Sequence, residues 1–339
     1  MTTDARRVVV CVDQLADREA PYLRRLEDAG FTVERNRLGR LFTEEELVEL
    51  LPGAYATIAG GEPYTERVFT AAPSLKVVAR FGVGYDKVDV AAATRHGVAV
   101  AMAFGTNHES VADGAFALLA AVAGDIVRRD RLVRSGGWGA AFHRGLWRAT
   151  VGVVGLGRIG RAFVRRCRGF EMQVLGYDPM PDAAYERESG VKLVGLDDLL
   201  ARSDFVSLHA PLNHDTENMI DAHALSLMKP EAILVNTARG GLVDEEALAD
   251  ALRSGRIAGA GIDVFRRTPP LGSPLLALEN VVLTPHSSGM DVTAEAAMCD
   301  RCIDSILAIA SRRDPGRAFL LNPEILDRDQ PSATAQRQP

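Results

Sequence analysis

The chain has 339 residues, 47% of them hydrophobic and 25% charged, with a formal net charge of −6. That length exceeds one ordinary domain, and the apolar content is enough to bury two cores. The negative balance argues against a nucleic-acid partner, which needs a basic face, and no run of about 18 apolar residues is present to span a membrane.

The opening residues, MTTDARR, lead directly into an apolar strand and show no signal-peptide core. Strands are expected at 7–12, 32–35, 56–59, 76–79 and 98–101, with helices at 18–29 and 44–50 among them. Short β-branched runs alternating with helix patterns mark a parallel, doubly wound α/β unit, here without a Gly-rich phosphate loop. One long helix of small residues is expected over 108–135, stopped at Gly136-Gly137. A second α/β series starts at Thr150 and continues to His286. An amphipathic helix over 292–311 and a short NPEIL piece follow, and the polar tail 328–339 reads as disordered. The four cysteines (Cys11, Cys167, Cys299, Cys302) are few for this length, which suits a reducing, cytoplasmic compartment. Cys299 and Cys302 are spaced like a redox or metal pair. They sit in a helical pattern with no second pair and no histidine at ligand spacing, so they read as structural and no metal is expected.

The start of the second series carries the first chemistry. An apolar strand, 151–154, leads into Gly155-Leu156-Gly157-Arg158-Ile159-Gly160; a helix pattern follows over 161–168, then a strand over 173–177 ending in Asp178. Gly155 permits the tight turn, Gly157 lets backbone approach a pyrophosphate, and Gly160 allows close helix–strand packing. The helix N-terminus offers free N–H groups and a positive dipole to phosphate. Asp178 can accept hydrogen bonds from ribose hydroxyls and would repel a 2′-phosphate, which points to NAD as the cofactor.

Four later strand ends add to this. His209-Ala210-Pro211-Leu212 closes one, with Thr216 behind it. Asn236-Thr237-Ala238-Arg239-Gly240-Gly241 closes another, Asp263-Val264-Phe265 a third, and Thr284-Pro285-His286 a fourth. Ligands of open α/β sheets bind at the carboxyl ends of strands. Arg239 can hold both oxygens of a carboxylate, and His286 can exchange a proton near neutral pH. Those two groups beside a nicotinamide are what reduction of a 2-oxo acid requires.

The segments VGVVGLGRIG, YDP, HAPL, NTARGGLVDEEAL, GIDVF and TPH resemble the D-isomer-specific 2-hydroxyacid dehydrogenase family. So do GVGYDKVD near residue 82 and the closing NPEIL. Within the family the chain is most similar to the 3-phosphoglycerate dehydrogenase and glyoxylate/hydroxypyruvate reductase branches. The resemblance implies a Rossmann NAD-binding domain, residues 104–291, inserted into a flavodoxin-like substrate domain formed by 1–103 plus 292–327. It implies a homodimer acting on a small anionic substrate. Cofactor contacts would come from Gly155, Gly157, Arg158, Ile159, Gly160 and Asp178, and from His209, Pro211 and Thr216. The backbone near Thr237 and Ala238, Asp263, His286 and Gly289 would complete them, with Asp263 and the Thr237 backbone holding the nicotinamide carboxamide. Val83 and Gly84 would offer backbone N–H groups to the substrate carboxylate beside Arg239 and His286.

The chain departs from the pattern at one position. Thr268 stands where the family places the glutamate that pairs with its histidine. A buried carboxylate raises the pKa of a neighbouring imidazole, whereas a threonine brings no charge. With a pKa of about 6.5, only roughly a quarter of His286 would be protonated at pH 7. Three readings follow: reduction assisted by another acid such as Glu279 or Glu62, oxidation of an alcohol or hydrated aldehyde, or a substrate needing little acid–base help, such as formate. Arg80 and the pair Arg266-Arg267 read as solvated loop charges or, less simply, as attraction for a phosphorylated or phosphonate-bearing substrate. A non-enzymatic NAD(H)-sensing corepressor is the rival from another class. A phosphite-type enzyme is disfavoured by Val83, where a substrate-binding lysine would be expected.

Overall fold

A computed structural model describes residues 6–15, 21–139, 142–180 and 182–328. The expected helix start at 18–20 and most of the tail, residues 329–339, lie outside the described residues. The chain divides into two units, one comprising residues up to 107 together with those from 292 onward, the other 108–291. Residues 104–107 therefore fall with the first unit.

In the first unit the chain runs through β1 (Arg6–Val10), α1 (Pro21–Asp28), β2 (Phe31–Arg35), α2 (Glu44–Leu50), β3 (Ala54–Ala59), α3 (Glu66–Ala71), β4 (Val77–Arg80), α4 (Val90–Arg95) and β5 (Ala99–Met102). The strands pair in parallel in the order β2-β1-β3-β4-β5, which is the flavodoxin-like doubly wound order. A parallel sheet is covered on both faces, so its strands are apolar without alternation. Val8, Val9 and Val10 are accordingly all buried. Val8 and Val10 pack on α1 and the helix Val292–Ala310, and Val9 packs on the opposite layer with Leu47, Val68 and Ala92. Cys299 and Cys302 belong to the first of these layers, and all four cysteines are free and buried. The bounds expected for α2 are the observed ones because its start is written locally. Thr43 accepts from Glu46 N at 3.3 Å while the Glu46 carboxylate accepts from Thr43 N at 2.8 Å, a reciprocal cap worth about 1 kcal/mol.

The second unit contains α5 (His108–Ala123), α6 (Ile126–Arg134), β6 (Thr150–Val154), α7 (Arg158–Gly169), β7 (Gln173–Tyr177), α8 (Ala183–Ser189), β8 (Lys192–Leu193) and α9 (Leu196–Arg202). It continues through β9 (Phe205–Leu208), α10 (Ala222–Leu227), β10 (Ile233–Asn236), α11 (Glu245–Arg253), β11 (Gly259–Ile262) and β12 (Val281–Leu283). Its parallel sheet has the order β12-β11-β10-β9-β6-β7-β8, the Rossmann order with β12 added at one edge. The order reverses between β6 and β9, so the strand ends there open a crevice.

The single helix expected over 108–135 is two helices, bent by 59° where Asp125 adopts a left-handed φ of 52°. Burial explains the break. The alanine-rich α5 lies in the core, whereas the arginine-rich α6 buries no residue. Among the described residues no single helix is long and apolar enough to cross a membrane, although this bent pair together passes that test by length and composition.

At the sheet's opposite end Asp204 joins β6 to β9. It accepts from Thr150 N (2.8 Å), Arg144 (2.6 Å) and Lys229 (3.0 Å). Burial pushes its pKa up, but the Thr150 N–H and the two cations outweigh this and hold it below the ordinary value. A depressed carboxylate stabilises the fold above its unfolded pKa of about 3.9, and that stabilisation is lost as pH falls through the folded value. Asp204→Asn is therefore expected to lower the urea midpoint at neutral pH. The difference between the two proteins should shrink as pH falls through the folded value.

Candidate active site

β6 delivers the chain into Gly155, whose φ of +91° suits glycine and whose N–H donates to Tyr177 O at 2.8 Å. A Cβ on Gly155 would lie 2.8 Å from the backbone of His209 and Ala210, so the loops after β6 and β9 touch at the switch point. A Cβ on Gly160 would lie 2.0 Å from Gly155 O, which shows how closely α7 packs on the turn. Gly157 is different. It caps α7, carries no side chain, and has no protein atom within 4 Å of its Cβ position. The first N–H groups of α7 have no intrahelical acceptor and point at that open space. Arg158 is exposed there and Ile159 half-buried. The helix starts at Arg158 rather than at 161, which places its dipole directly behind the glycines.

Asp178 holds the loop. Its carboxylate accepts from Leu156 N at 2.8 Å and from Met180 N at 2.9 Å, and it keeps lone pairs for further donors. Arg161, which the sequence did not single out, ties the same loop to the segment after β7. Its guanidinium donates to Leu156 O and to Asp182, both at 2.8 Å. An open cradle lined by N–H groups, beside a carboxylate, fits a dinucleotide pyrophosphate and its ribose.

The ends of β9 and β10 add two orphaned groups. His209 pairs its Nε2 with Ser207 Oγ at 2.9 Å, and burial pushes its pKa down to about 3, so the ring is neutral at any working pH. Its Nδ1 is buried without a hydrogen-bond partner among the described residues, as is Thr237 Oγ1. Orphans of this kind are rare in folded proteins and often mark a ligand or water. The Thr216 hydroxyl, by contrast, closes its own loop, donating to Pro211 O (2.7 Å) and accepting from Asn213 N (2.8 Å).

Arg239 owes its position to Asn236, a residue the sequence reading passed over. The buried Asn236 side chain accepts from Ala238 N at 3.0 Å and donates to Arg239 O at 2.8 Å, locking the turn. Its signal was an asparagine at a strand end ahead of a tight turn. The Arg239 guanidinium is half-buried and donates to Ala238 O at 2.6 Å. A Cβ on Gly240 would lie 2.1 Å from the Phe265 carbonyl carbon, so the loops after β10 and β11 meet backbone to backbone.

The loop after β12 is held by Asp263, which is 1% exposed. One carboxylate oxygen accepts from Thr284 Oγ1 (2.6 Å) and Ser287 N (2.9 Å), the other from Ser288 N (3.1 Å). His286 N donates to Asp263 O at 2.8 Å. Between these anchors His286 adopts a left-handed φ of 55° with its side chain exposed. A non-glycine residue holds such a backbone at a cost of about 1–2 kcal/mol, sustained here by the Asp263 clamp. Gly289 is half-buried in the turn that follows.

Residues 116–288, just over half of the chain, match the family described as D-isomer specific 2-hydroxyacid dehydrogenase, NAD binding domain. The chain is 44% identical over 272 residues to a glyoxylate reductase of Korarchaeum cryptofilum, covering 78% of this chain and 81% of that one. It is 48% identical over 231 residues to a D-3-phosphoglycerate dehydrogenase of Mycobacterium leprae, covering 68% of this chain but only 43% of the relative. The crystal structure of the TT0316 protein from Thermus thermophilus superimposes with a TM-score of 0.84 at 36% identity, covering 93% of this chain and 99% of that one. The chain belongs to the D-isomer specific 2-hydroxyacid dehydrogenase family. It is a dehydrogenase of CH–OH groups, and its cofactor is NAD.

Several expectations for this 2-hydroxyacid dehydrogenase change with the geometry. Val83 and Gly84 lie in the first unit, half-buried in the loop after β4. Arg80 braces that loop, donating to Ala59 O and Gly84 O at 2.8 Å each, so it is a scaffold rather than a loose charge at the substrate mouth. Arg266 is likewise engaged, with Asn218 and with Glu217 at 3.6 Å. Arg267 and Thr268 are exposed, and the Thr268–Pro269 peptide is cis. Glu279 does not substitute for the missing glutamate. It precedes the amino end of β12 whereas His286 follows the carboxyl end, about 20 Å away along an extended chain.

Proposed function

We propose that the enzyme reduces small 2-oxo acids of the glyoxylate and hydroxypyruvate class with NADH. The observation that carries this reading is the Asp263 clamp, which fixes the His286 loop next to the loops bearing Phe265 and Arg239. Arg239 would hold the substrate carboxylate through two parallel donors. His286 would give a proton to the carbonyl oxygen as hydride reaches the carbon. NADH, when bound, supplies that hydride. Gly155, Gly157 and Gly160 would seat the pyrophosphate on α7, and Asp178 would take the ribose hydroxyls and repel a 2′-phosphate.

The test is NADH absorbance with glyoxylate, hydroxypyruvate and pyruvate, repeated with NADPH. The reading expects turnover with at least one acid and a preference for NADH. Tight NADH binding without turnover of any acid would instead support a nucleotide sensor.

Thr268 sets a second expectation. A glutamate there would bring a negative charge to the imidazole and favour its protonated form. Thr268→Glu should leave the rate at about pH 6 nearly unchanged and raise it roughly tenfold at about pH 8. Equal pH profiles would show that position 268 does not act on His286.

A homodimer is part of this reading. Trp138, Phe142 and Trp147 are exposed close together in sequence after α6, itself bearing exposed Ile126 and Val133. Aromatic surface of this kind favours burial against a second copy. The four free, buried thiols fit a reducing, cytoplasmic setting.

A further inference from the structure

Gly114 lies in the interior of α5, half-buried. Glycine weakens a helix interior relative to alanine, and one kept there usually has a packing or functional reason. Here the reason is a close approach. A Cβ on Gly114 would lie 2.6 Å from Ser288 Cβ, 2.8 Å from Ser288 Cα and 2.9 Å from Ser288 O. These atoms are backbone or fixed directly to it, so no side-chain rotation makes room.

α5 is itself seated on the sheet of the same unit. A Cβ on Gly261 would lie 3.0 Å from Leu118 Cβ, and one on Gly259 would lie 2.7 Å from Val122 Cγ1. Gly114, Leu118 and Val122 are spaced by four, so they share one face of the helix. Gly259 and Gly261 share one face of β11. That face of α5 therefore lies on β11 and continues onto the loop after β12. The loop's other hold is Asp263, whose carboxylate accepts from Ser287 N at 2.9 Å and Ser288 N at 3.1 Å. His286 stands two residues before Ser288 in its left-handed backbone. Asp263 thus holds the loop by its N–H groups, while α5 bears on the Ser288 backbone.

We infer that Gly114 is a positioning residue that sets where the His286 loop rests. Because α5 is packed on β11 at Leu118 and Val122, a side chain at 114 displaces the loop rather than the helix. Ordinary carbon–carbon contact would require Ser288 to move about 1 Å. A misplacement of that size, even one caused far from the chemistry, slows a reaction severely. The effect passes through Ser288 to His286, so it bears on proton transfer and not on the glycine turn that seats the pyrophosphate. This assignment rests on the reading of His286 as the proton donor in 2-oxo acid reduction.

The test compares Gly114→Ala with the wild type in steady-state reduction of the best 2-oxo acid. NADH affinity and melting temperature are measured on the same preparations. Gly124→Ala, whose new Cβ would meet Ala120 O at 3.1 Å and Ile126 rather than the loop, controls for strain in the helix. The expected result is a kcat about tenfold or more lower in Gly114→Ala, with KM and NADH affinity changed about twofold at most. Gly124→Ala should keep kcat within about twofold. In a His286→Ala background, Gly114→Ala should lower kcat by less than about twofold further, because the group it misplaces is gone. Full additivity with His286→Ala, an equal loss in Gly124→Ala, or a joint fall of rate, NADH affinity and melting temperature in Gly114→Ala would overturn the inference. Each of those results would leave the reductase reading standing. A wild-type enzyme that reduces no 2-oxo acid would overturn both.

Discussion

Replacing Asp263 by alanine is expected to lower kcat/KM for 2-oxo acid reduction about a hundredfold. The carboxylate accepts from Thr284, Ser287 and Ser288, and it does so from a fully enclosed position. Removing it strands three donors and loosens the turn in which His286 holds its left-handed backbone. Misplacing a catalytic group by about 1 Å is enough for a loss of that order. The stranded donors also predict a loss of stability of about 2–4 kcal/mol, readable as a lower urea midpoint. Asp263→Asn keeps the volume and part of the bonding, so it should fall between the two proteins in both rate and stability. A variant that folds normally and turns over like the wild type would show that the clamp does not position His286.

The second large effect separates two glycines of one loop. Gly160→Ala places a Cβ 2.0 Å from Gly155 O, a distance that only a backbone shift can relieve. Both stability and NADH affinity should fall, the affinity by more than about tenfold. Gly157→Ala meets no protein atom within 4 Å and sits at ordinary φ, so the apo protein should melt within about a degree of the wild type. Its NADH affinity should nevertheless fall about as far, because the methyl group occupies the space left for phosphate. Isothermal titration with NADH beside a thermal melt distinguishes the two. Unchanged NADH affinity in Gly157→Ala would remove the dinucleotide from this loop.

What the sequence made legible follows the range of the interactions involved. The glycine turn could be read because strand, turn, helix and Asp178 lie within one short stretch, and each has a local chemical reason. The bounds of α2 could be read because Thr43 and Glu46 write the cap between them. Arg239 and His286 were legible as polar residues at strand ends of an α/β sheet. The way they are held was not: Asp263 was read only as a cofactor contact, and Asn236 was given no role. Asn236 and Asp263 act through backbone groups whose positions depend on how neighbouring loops pack. The break at Asp125 was hidden because α5 and α6 share one helical pattern and differ in what covers them. Glu279 looked available because sequence spacing hides which end of β12 a residue occupies.

In the proposed reaction His286 protonates the substrate oxygen, while the pyrophosphate is seated on a different loop, at Gly155, Gly157 and Gly160. The most direct measurement is NADH consumption with the best 2-oxo acid by His286→Ala, with NADH affinity determined on the same protein. The account predicts a fall in kcat of about 10²–10⁴-fold with NADH binding changed less than about threefold. A His286→Ala enzyme that keeps most of its rate would contradict it.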